Sequence, residues 1–234
     1  MSKFATPNRF EDDSTRNPDG SIRGGTWYKP PPMLIRPDGG YVEMWTERVR
    51  VFRELTGLTP AAPRSDAGPK ILVAGAGYGF VLWHLWDQGF SPWGIDGAWA
   101  VSMARQTGNK LPNISDHMFS GDVTILADVR RVRGDAGIGG QRKFDGLITD
   151  DLLSAADSAS EVATMLTTLR DVAPQDRSRV LHFITMYDPT QPWSSILTPE
   201  EANEGLYRTE AEWVTLIGNN AERIVNINGY RIVR

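Results

Sequence analysis

Glycine stands at every second position of Gly75-Ala76-Gly77-Tyr78-Gly79, directly after the apolar run Ile71-Leu72-Val73-Ala74. Glycine accepts positive φ and carries no Cβ, so such a turn lets a ligand approach the backbone, and a helix starting just beyond it supplies N–H groups. This spacing points to the binding of a nucleotide-like ligand. Carboxylates follow at suitable places. Asp96 ends Pro92-Trp93-Gly94-Ile95-Asp96, and an acid at the carboxyl end of a second strand can accept hydrogen bonds from both ribose hydroxyls. Asp122 follows Gly121 after a third apolar stretch. Asp150 and Asp151 end the run that starts at Phe144, on the side where open α/β sheets bind ligands. A carboxylate there can take a proton from an attacking hydroxyl or amine, or orient a cationic substrate. Asp151 fits equally well as the cap of a following helix.

These residues need a sheet to hold them. Lys70 to Ala74 reads as a strand covered on both faces, Phe80 to Gln88 as a helix stopping near Gly89, Trp93 to Asp96 as a strand and Ala98 to Gln106 as a helix. His117 to Ser120 is a weaker strand, Phe144 to Thr149 a strand, Ser160 to Val172 a helix and Arg179 to Met186 a strand. Such alternation predicts an α/β fold, a doubly wound and mostly parallel sheet with helices on both faces. Towards the C-terminus, Glu210 to Ile217 reads as a helix, and two apolar runs around Asn228-Gly229 predict an antiparallel hairpin at the sheet edge. Ahead of the sheet, Val42, Trp45, Val49, Phe52 and Leu55 form one apolar stripe on a helix expected from Tyr41 to Leu58. The predicted organisation is an extended arm over residues 1–40 and one Rossmann-like domain over residues 41–234.

Composition removes several function classes. The sequence has no cysteine, which excludes disulfides, thiolate metal sites and a cysteine nucleophile of the kind that methylates the cytosine ring. His84, His117 and His182 lack paired ligand spacing, so no metal site is expected. His182 falls inside an apolar strand and reads as a core residue rather than a base. A net charge of -4 disfavours a general grip on nucleic acid, and the cluster Arg130, Arg131, Arg133, Arg142 and Lys143 reads as a solvated loop face. No apolar run is long enough to span a bilayer, and the first residues have no apolar stretch of signal-peptide length; the expected compartment is the cytoplasm.

The spacing of the glycines separates two ligand families. Dinucleotide-binding domains place a third glycine where this chain has Phe80; here it is Gly79. The pattern Gly75-Ala76-Gly77-Tyr78-Gly79, with Asp96, Asp122 and the segment Phe144 to Leu153, resembles the class I S-adenosylmethionine-dependent methyltransferases from about Lys70 to the C-terminus. The resemblance implies a Rossmann-like fold and S-adenosylmethionine as cofactor. It places Gly75, Ala76, Gly77 and Gly79 around the methionine part, Asp96 on the ribose and Asp122 on the adenine amino group, and it turns Asp150 and Asp151 towards the methyl group. Val73 departs from it, because the family often carries an acid there that contacts the methionine amino group through water. The chain also lacks an Asn/Asp-Pro-Pro-Tyr/Phe segment, which disfavours DNA adenine methylation.

The implied activity is methyl transfer to a small molecule or a protein side chain. The alternatives are a non-catalytic methyltransferase-like module, a nicotinamide-dependent oxidoreductase and an aminopropyltransferase. Trp27, Tyr28 and Pro30-Pro31-Pro32 in the arm suit either a lid over the site or, as the preferred expectation, docking on a second copy of the chain or a protein partner.

Overall fold

The computed structural model describes residues 33–35, 41–77, 79–98, 100–102, 114–184, 186, 209–218, 220–226 and 231–232. The elements, in chain order, are β1 (Met33–Ile35), β2 (Tyr41–Glu43), α1 (Met44–Thr56), β3 (Lys70–Ala74), α2 (Phe80–Asp87), β4 (Ser91–Asp96), α3 (Ile114–His117), β5 (Met118–Ser120), α4 (Leu126–Asp135), β6 (Gly146–Asp150), α5 (Ala159–Val172), β7 (Val180–Ile184), α6 (Glu210–Ile217), β8 (Arg223–Asn226) and β9 (Arg231–Ile232). Of the expected features, Trp27, Tyr28 and the prolines of the arm, residues 99 and 103–106 of the helix expected from Ala98 to Gln106, and the Asn228-Gly229 turn lie outside the described residues.

The main sheet runs in the order β5-β4-β3-β6-β7-β8-β9. The first six strands in that order are parallel, with registers such as Val73 beside Gly94 and beside Ile148. Only β9 runs antiparallel, over the pairs Val225 with Ile232 and Asn226 with Arg231. The predicted parallel core is therefore present, but the predicted hairpin is not supported: antiparallel pairing in this sheet is confined to the two pairs of β8 with β9, and the turn lies outside the described residues. From β3 the chain first winds one way, through β4 to β5, and then the other way from β6 onward. Strand order thus reverses between β3 and β6, the place where open sheets leave a crevice for ligands.

Alternation along the strands buries both faces. Leu72, Ala74, Ile95, Leu147 and Ile224 join the core under α4, α5 and α6, while Ile71, Val73, Ile148, Leu181 and Val225 join the one under α1 and α2. Helix α1 reaches its face because β6 opens with Gly146: a Cβ there would come 2.6 Å from the ring of Phe52, which is fully buried. Local signals fix helix starts well. Ser158 accepts from the Glu161 N–H ahead of α5, and Thr209 with Glu212 forms a capping box ahead of α6.

Three expectations need correction. Tyr41–Glu43 is a strand paired with Met33–Ile35 rather than the first turn of α1, and Val42 belongs to that pairing. Residues Arg130, Arg131 and Arg133 lie on α4, not on a loop; the helix was hidden because it buries only Val129 and Val132. Finally, β5 begins at Met118, and His117 ends the helical turn before it.

Candidate functional site

The carboxyl ends of β3, β4, β5 and β6 gather the residues singled out by sequence. Gly75, Gly77 and Gly79 all have left-handed φ, at 79°, 53° and 80°, so the turn needs glycine at each. The reasons for the missing Cβ differ. At Gly75 it would stand 2.8 Å from the Asp150 carbonyl oxygen and 2.9 Å from the Leu152 Cβ, whereas at Gly77 it would meet none of the described residues within 4 Å. Gly75 is demanded by the neighbouring strand, and no described residue crowds Gly77.

The N–H groups of Gly75, Ala76, Gly77 and Gly79 are committed internally. Gly75 and Ala76 donate to the Ile95 carbonyl at 3.0 and 3.4 Å, and Gly79 donates to the Ala76 carbonyl at 2.8 Å. Gly77 donates to Asp96 Oδ2 at 2.7 Å, and Gly97 donates to Asp96 Oδ1 at 2.6 Å. Asp96 thereby holds the turn in place. Burial raises its pKa against these two hydrogen bonds, which favour the ionised form. A carboxylate has about four acceptor positions, so two bonds leave capacity for ligand hydroxyls.

Asp122 lies next to this centre, since Gly121 donates from its N–H to the Asp96 carbonyl at 2.9 Å. Its Oδ1 accepts from both the N–H and the hydroxyl of Thr124, at 2.8 and 2.7 Å. Its own N–H donates to Asp128 Oδ2 at 2.9 Å. The side chain is thus held in a local turn beside the end of β5.

Both aspartates at the end of β6 have protein partners. Asp150 forms an ion pair with Arg48 of α1, the two side chains being only 9% and 6% exposed. Its carboxyl is pushed up to about 6, chiefly by burial and further by Asp151 and Asp96, while Arg48 opposes the rise. Asp151 adopts a left-handed φ of 52°, which aspartate tolerates better than most residues. The Ser154 hydroxyl donates to its carbonyl at 2.9 Å and also to its carboxylate. Asp151 lies just ahead of the short 3-10 turn Leu153–Ala155, whose N-cap is Leu152 without a side-chain cap.

His182 is buried in β7, as its place in an apolar strand predicts. Its Nδ1 lies 3.0 Å from the Thr149 hydroxyl and its Nε2 lies 3.3 Å from Glu222. Glu222 in turn accepts from Arg170 through Nε at 2.8 Å and Nη2 at 2.6 Å. Thus Thr149, His182, Glu222 and Arg170 form a continuous polar chain on the α5 side of the sheet.

Two residues of the site lie outside the sequence expectations. Arg48 has no local signal, because its partner is 102 positions away. Gly94 does have one: glycine inside a strand marks a close approach, and a Cβ there would come 2.9 Å from both the Ala76 Cβ and a Leu82 methyl. Beside the turn, the Trp45 ring of α1 stacks on Phe80, the first residue of α2, at 4.4 Å between centroids. The described residues contain no group of three or more His, Asp or Glu able to hold a metal ion, and no described helix is long and apolar enough to cross a membrane.

No protein-family model and no curated protein matches the chain. Solved structures that it matches include an S-adenosylmethionine-dependent methyltransferase from Clostridium acetobutylicum, at 13% identity over 62% of this chain and 50% of that one, with a TM-score of 0.43. Another is the amino pentose methyltransferase CalS10 from Micromonospora echinaspora, solved with S-adenosylmethionine bound (14% identity, 56% and 47% coverage, TM-score 0.39). A third is the mitomycin 7-O-methyltransferase MmcR (14% identity, 73% and 46% coverage, TM-score 0.45). The chain spans about half the length of these proteins.

Proposed function

We propose that the chain binds S-adenosylmethionine at the carboxyl ends of β3 and β4 and transfers its methyl group to a small molecule or a protein side chain. The observation that carries this reading is the glycine turn itself, tied by Gly77 to Asp96 and, among the described residues, uncrowded at the Gly77 Cβ position. In this reading Gly75, Ala76, Gly77 and Gly79 form the surface for the methionine part, Asp96 takes the ribose hydroxyls with its spare acceptor positions, and Asp122 takes the adenine amino group. The cofactor supplies an electrophilic methyl group on a sulfonium. The chain's part is to hold that group and an acceptor in line, which can account for most of a rate enhancement without a dedicated base. Asp151 is the less suited of the two β6 aspartates to face an acceptor, since Ser154 holds its carboxylate.

Two observations favour other readings. The Arg48–Asp150 pair closes the carboxylate that a methyl acceptor would meet, which suits a non-catalytic module of the same fold. The parallel strands also follow the order used by dinucleotide-binding domains, although Phe80 stands where those domains need a glycine. Calorimetric titration with S-adenosylmethionine, S-adenosylhomocysteine and NAD separates the ligands. Binding of the first two without NAD is the expected result. Failure of S-adenosylhomocysteine to bind at millimolar concentration sinks the proposal, and binding without formation of S-adenosylhomocysteine from any acceptor favours the module.

A further inference from the structure

The amino ends of β6, β7 and β8, at the opposite end of the sheet from the glycine turn, carry a concentration of arginine. Topology gathers it. Helix α4 leads from β5 to β6 and α5 from β6 to β7, all parallel strands, so both helices end beside those amino ends. The short 3-10 turn Arg177–Arg179 runs into β7 there, and Arg223 opens β8. Three carboxylates stand in this region, each among several cations. Asp171 accepts from Arg130 Nε and Nη2, both at 2.9 Å. Those bonds lower its pKa, and the charges of Lys143 and Arg133 lower it further. Glu222 takes the Arg170 fork and lies 4.0 Å from Arg177 Nη1. Asp176 lies 3.3 Å from Arg179 Nε; the Ser178 hydrogen bonds lower its pKa first, and the charges of Arg179 and Arg223 add to them.

Seven cations thus surround three carboxylates, in a chain whose net charge is -4. At the margin, Lys70 and Arg142 are matched by Asp135 and Asp145. Cations at helix C-termini are ordinary, but each terminus carries only about half a negative charge, so a surplus of about three remains. The carboxylates do not satisfy the guanidiniums either. Arg133 Nε, Arg177 Nη1 and Arg179 Nε are buried nitrogens with no hydrogen-bond partner among the described residues.

We propose that this face binds the phosphodiester backbone of a nucleic acid, without regard to its sequence. The proposal does not rest on the S-adenosylmethionine reading. From Arg130 on α4 to Arg223 on β8 the face covers one helix spacing and two strand spacings, roughly 20 Å. That length matches about six nucleotides of one duplex strand, so an extended polyanion suits the face better than a single phosphate. Guanidinium forks bind phosphate through two parallel hydrogen bonds. A protein partner would need an apolar centre to the contact. The one exposed large apolar side chain among the described residues is Ile125, at the far end of α4. Stacking on bases would need exposed aromatic rings, so the contact is with the backbone alone. The charge of the whole chain disfavours a general grip on nucleic acid, and the uneven placing of that charge allows a local one.

Fluorescence anisotropy with labelled duplex DNA and duplex RNA of unrelated sequences, titrated over salt concentration, tests this. Wild-type protein is expected to bind unrelated sequences alike, with a slope of log K against log salt of about -3, the counterion release of three or four neutralised phosphates. Binding of either polymer supports the proposal, and the tighter one names the source. The variant Arg133→Gln/Lys143→Gln/Arg179→Gln/Arg223→Gln leaves the Arg130–Asp171 and Arg170–Glu222 pairs in place. It should lose roughly 100-fold in affinity at low salt and flatten the slope towards zero, with its fold checked by circular dichroism melting. Should it not fold, Lys143→Gln and Arg179→Gln singly should each flatten the slope by about 1. Arg53→Gln/Arg64→Gln removes two cations beside α2 and should change neither affinity nor slope. Four results overturn the proposal: no binding by wild-type protein at low salt, charge variants of this face that keep the wild-type slope, equal weakening by Arg53→Gln/Arg64→Gln, and a polyglutamate peptide or phosphatidylserine vesicles bound as tightly as nucleic acid.

Discussion

Gly94 of β4 lies against Ala76 of the glycine turn so closely that a Cβ added at Gly94 would come 2.9 Å from the Ala76 Cβ. The same atom would meet a Leu82 methyl of α2 at 2.9 Å. Strand, turn and helix thus share one contact, and the turn's position is set from beneath. Gly94→Ala is expected to cost roughly 1–3 kcal/mol, as overpacking of a filled core does. It should also weaken S-adenosylhomocysteine binding, because Ala76 is part of the turn. Thermal melting and calorimetry on the one variant check both. A variant with a lower Tm and unaltered affinity would show that the turn tolerates being lifted.

The contrast between Gly75 and Gly77 makes a second prediction. A side chain at Gly77 has room but an unfavourable backbone, with φ at 53°, so Gly77→Val should lower stability by only about 1–2 kcal/mol. It should nevertheless abolish ligand binding by filling the space above the turn. Gly75→Ala adds a collision with the Asp150 carbonyl and Leu152 to the same backbone cost, and should destabilise more. If Gly77→Val binds S-adenosylhomocysteine normally, the open space above the turn is not the ligand's place.

Much of this architecture is legible in the sequence, for local reasons. The strand, glycine turn and helix from Lys70 to Asp87 follow one another without interruption, and Thr209 with Glu212 marks the start of α6 at the expected residue. What escapes are relationships between distant residues. Arg48 meets Asp150 across 102 positions, and His182 meets Glu222 across 40; periodicity reports which face a residue occupies, not which charge waits on that face. The strand at Tyr41–Glu43 escapes for a similar reason, since only its partner Met33–Ile35 makes it a strand. Asp151 shows the limit of a role read from position. It follows the last residue of β6, and Ser154 decides which way its carboxylate is used.

The buried polar chain predicts acid sensitivity. Burial of Glu222 disfavours its charge, but the hydrogen bonds and charges of Arg170 and His182 outweigh that effect and bring its pKa from 4.5 down to about 2. A depressed carboxyl pKa stabilises the fold above the unfolded value, and the benefit is lost as pH falls through the folded one. Stability should therefore decline from about pH 4.5 towards pH 2. Glu222→Gln should remove roughly 3 kcal/mol at neutral pH, the lower end for breaking a buried pair, since Arg170 keeps 27% exposure. Denaturant titrations between pH 2 and 7 test this: the variant should be less stable and show a flatter decline. Parallel profiles would mean that another group governs the acid limb.

Asp150 predicts a pH dependence of the opposite sign for stability. Its carboxyl is pushed up to about 6, by burial first and by Asp151 and Asp96 after it, with Arg48 acting against them. A raised carboxyl pKa means that the native state takes up a proton the unfolded chain does not hold. Between about pH 6 and the ordinary carboxyl value of 3.8 this group adds stability as pH falls. Denaturant titrations between about pH 4 and 7 test this: the wild-type protein should gain stability as pH falls through about 6, and Asp150→Asn should lose that rise. A variant that keeps the wild-type profile would mean that another group takes up the proton.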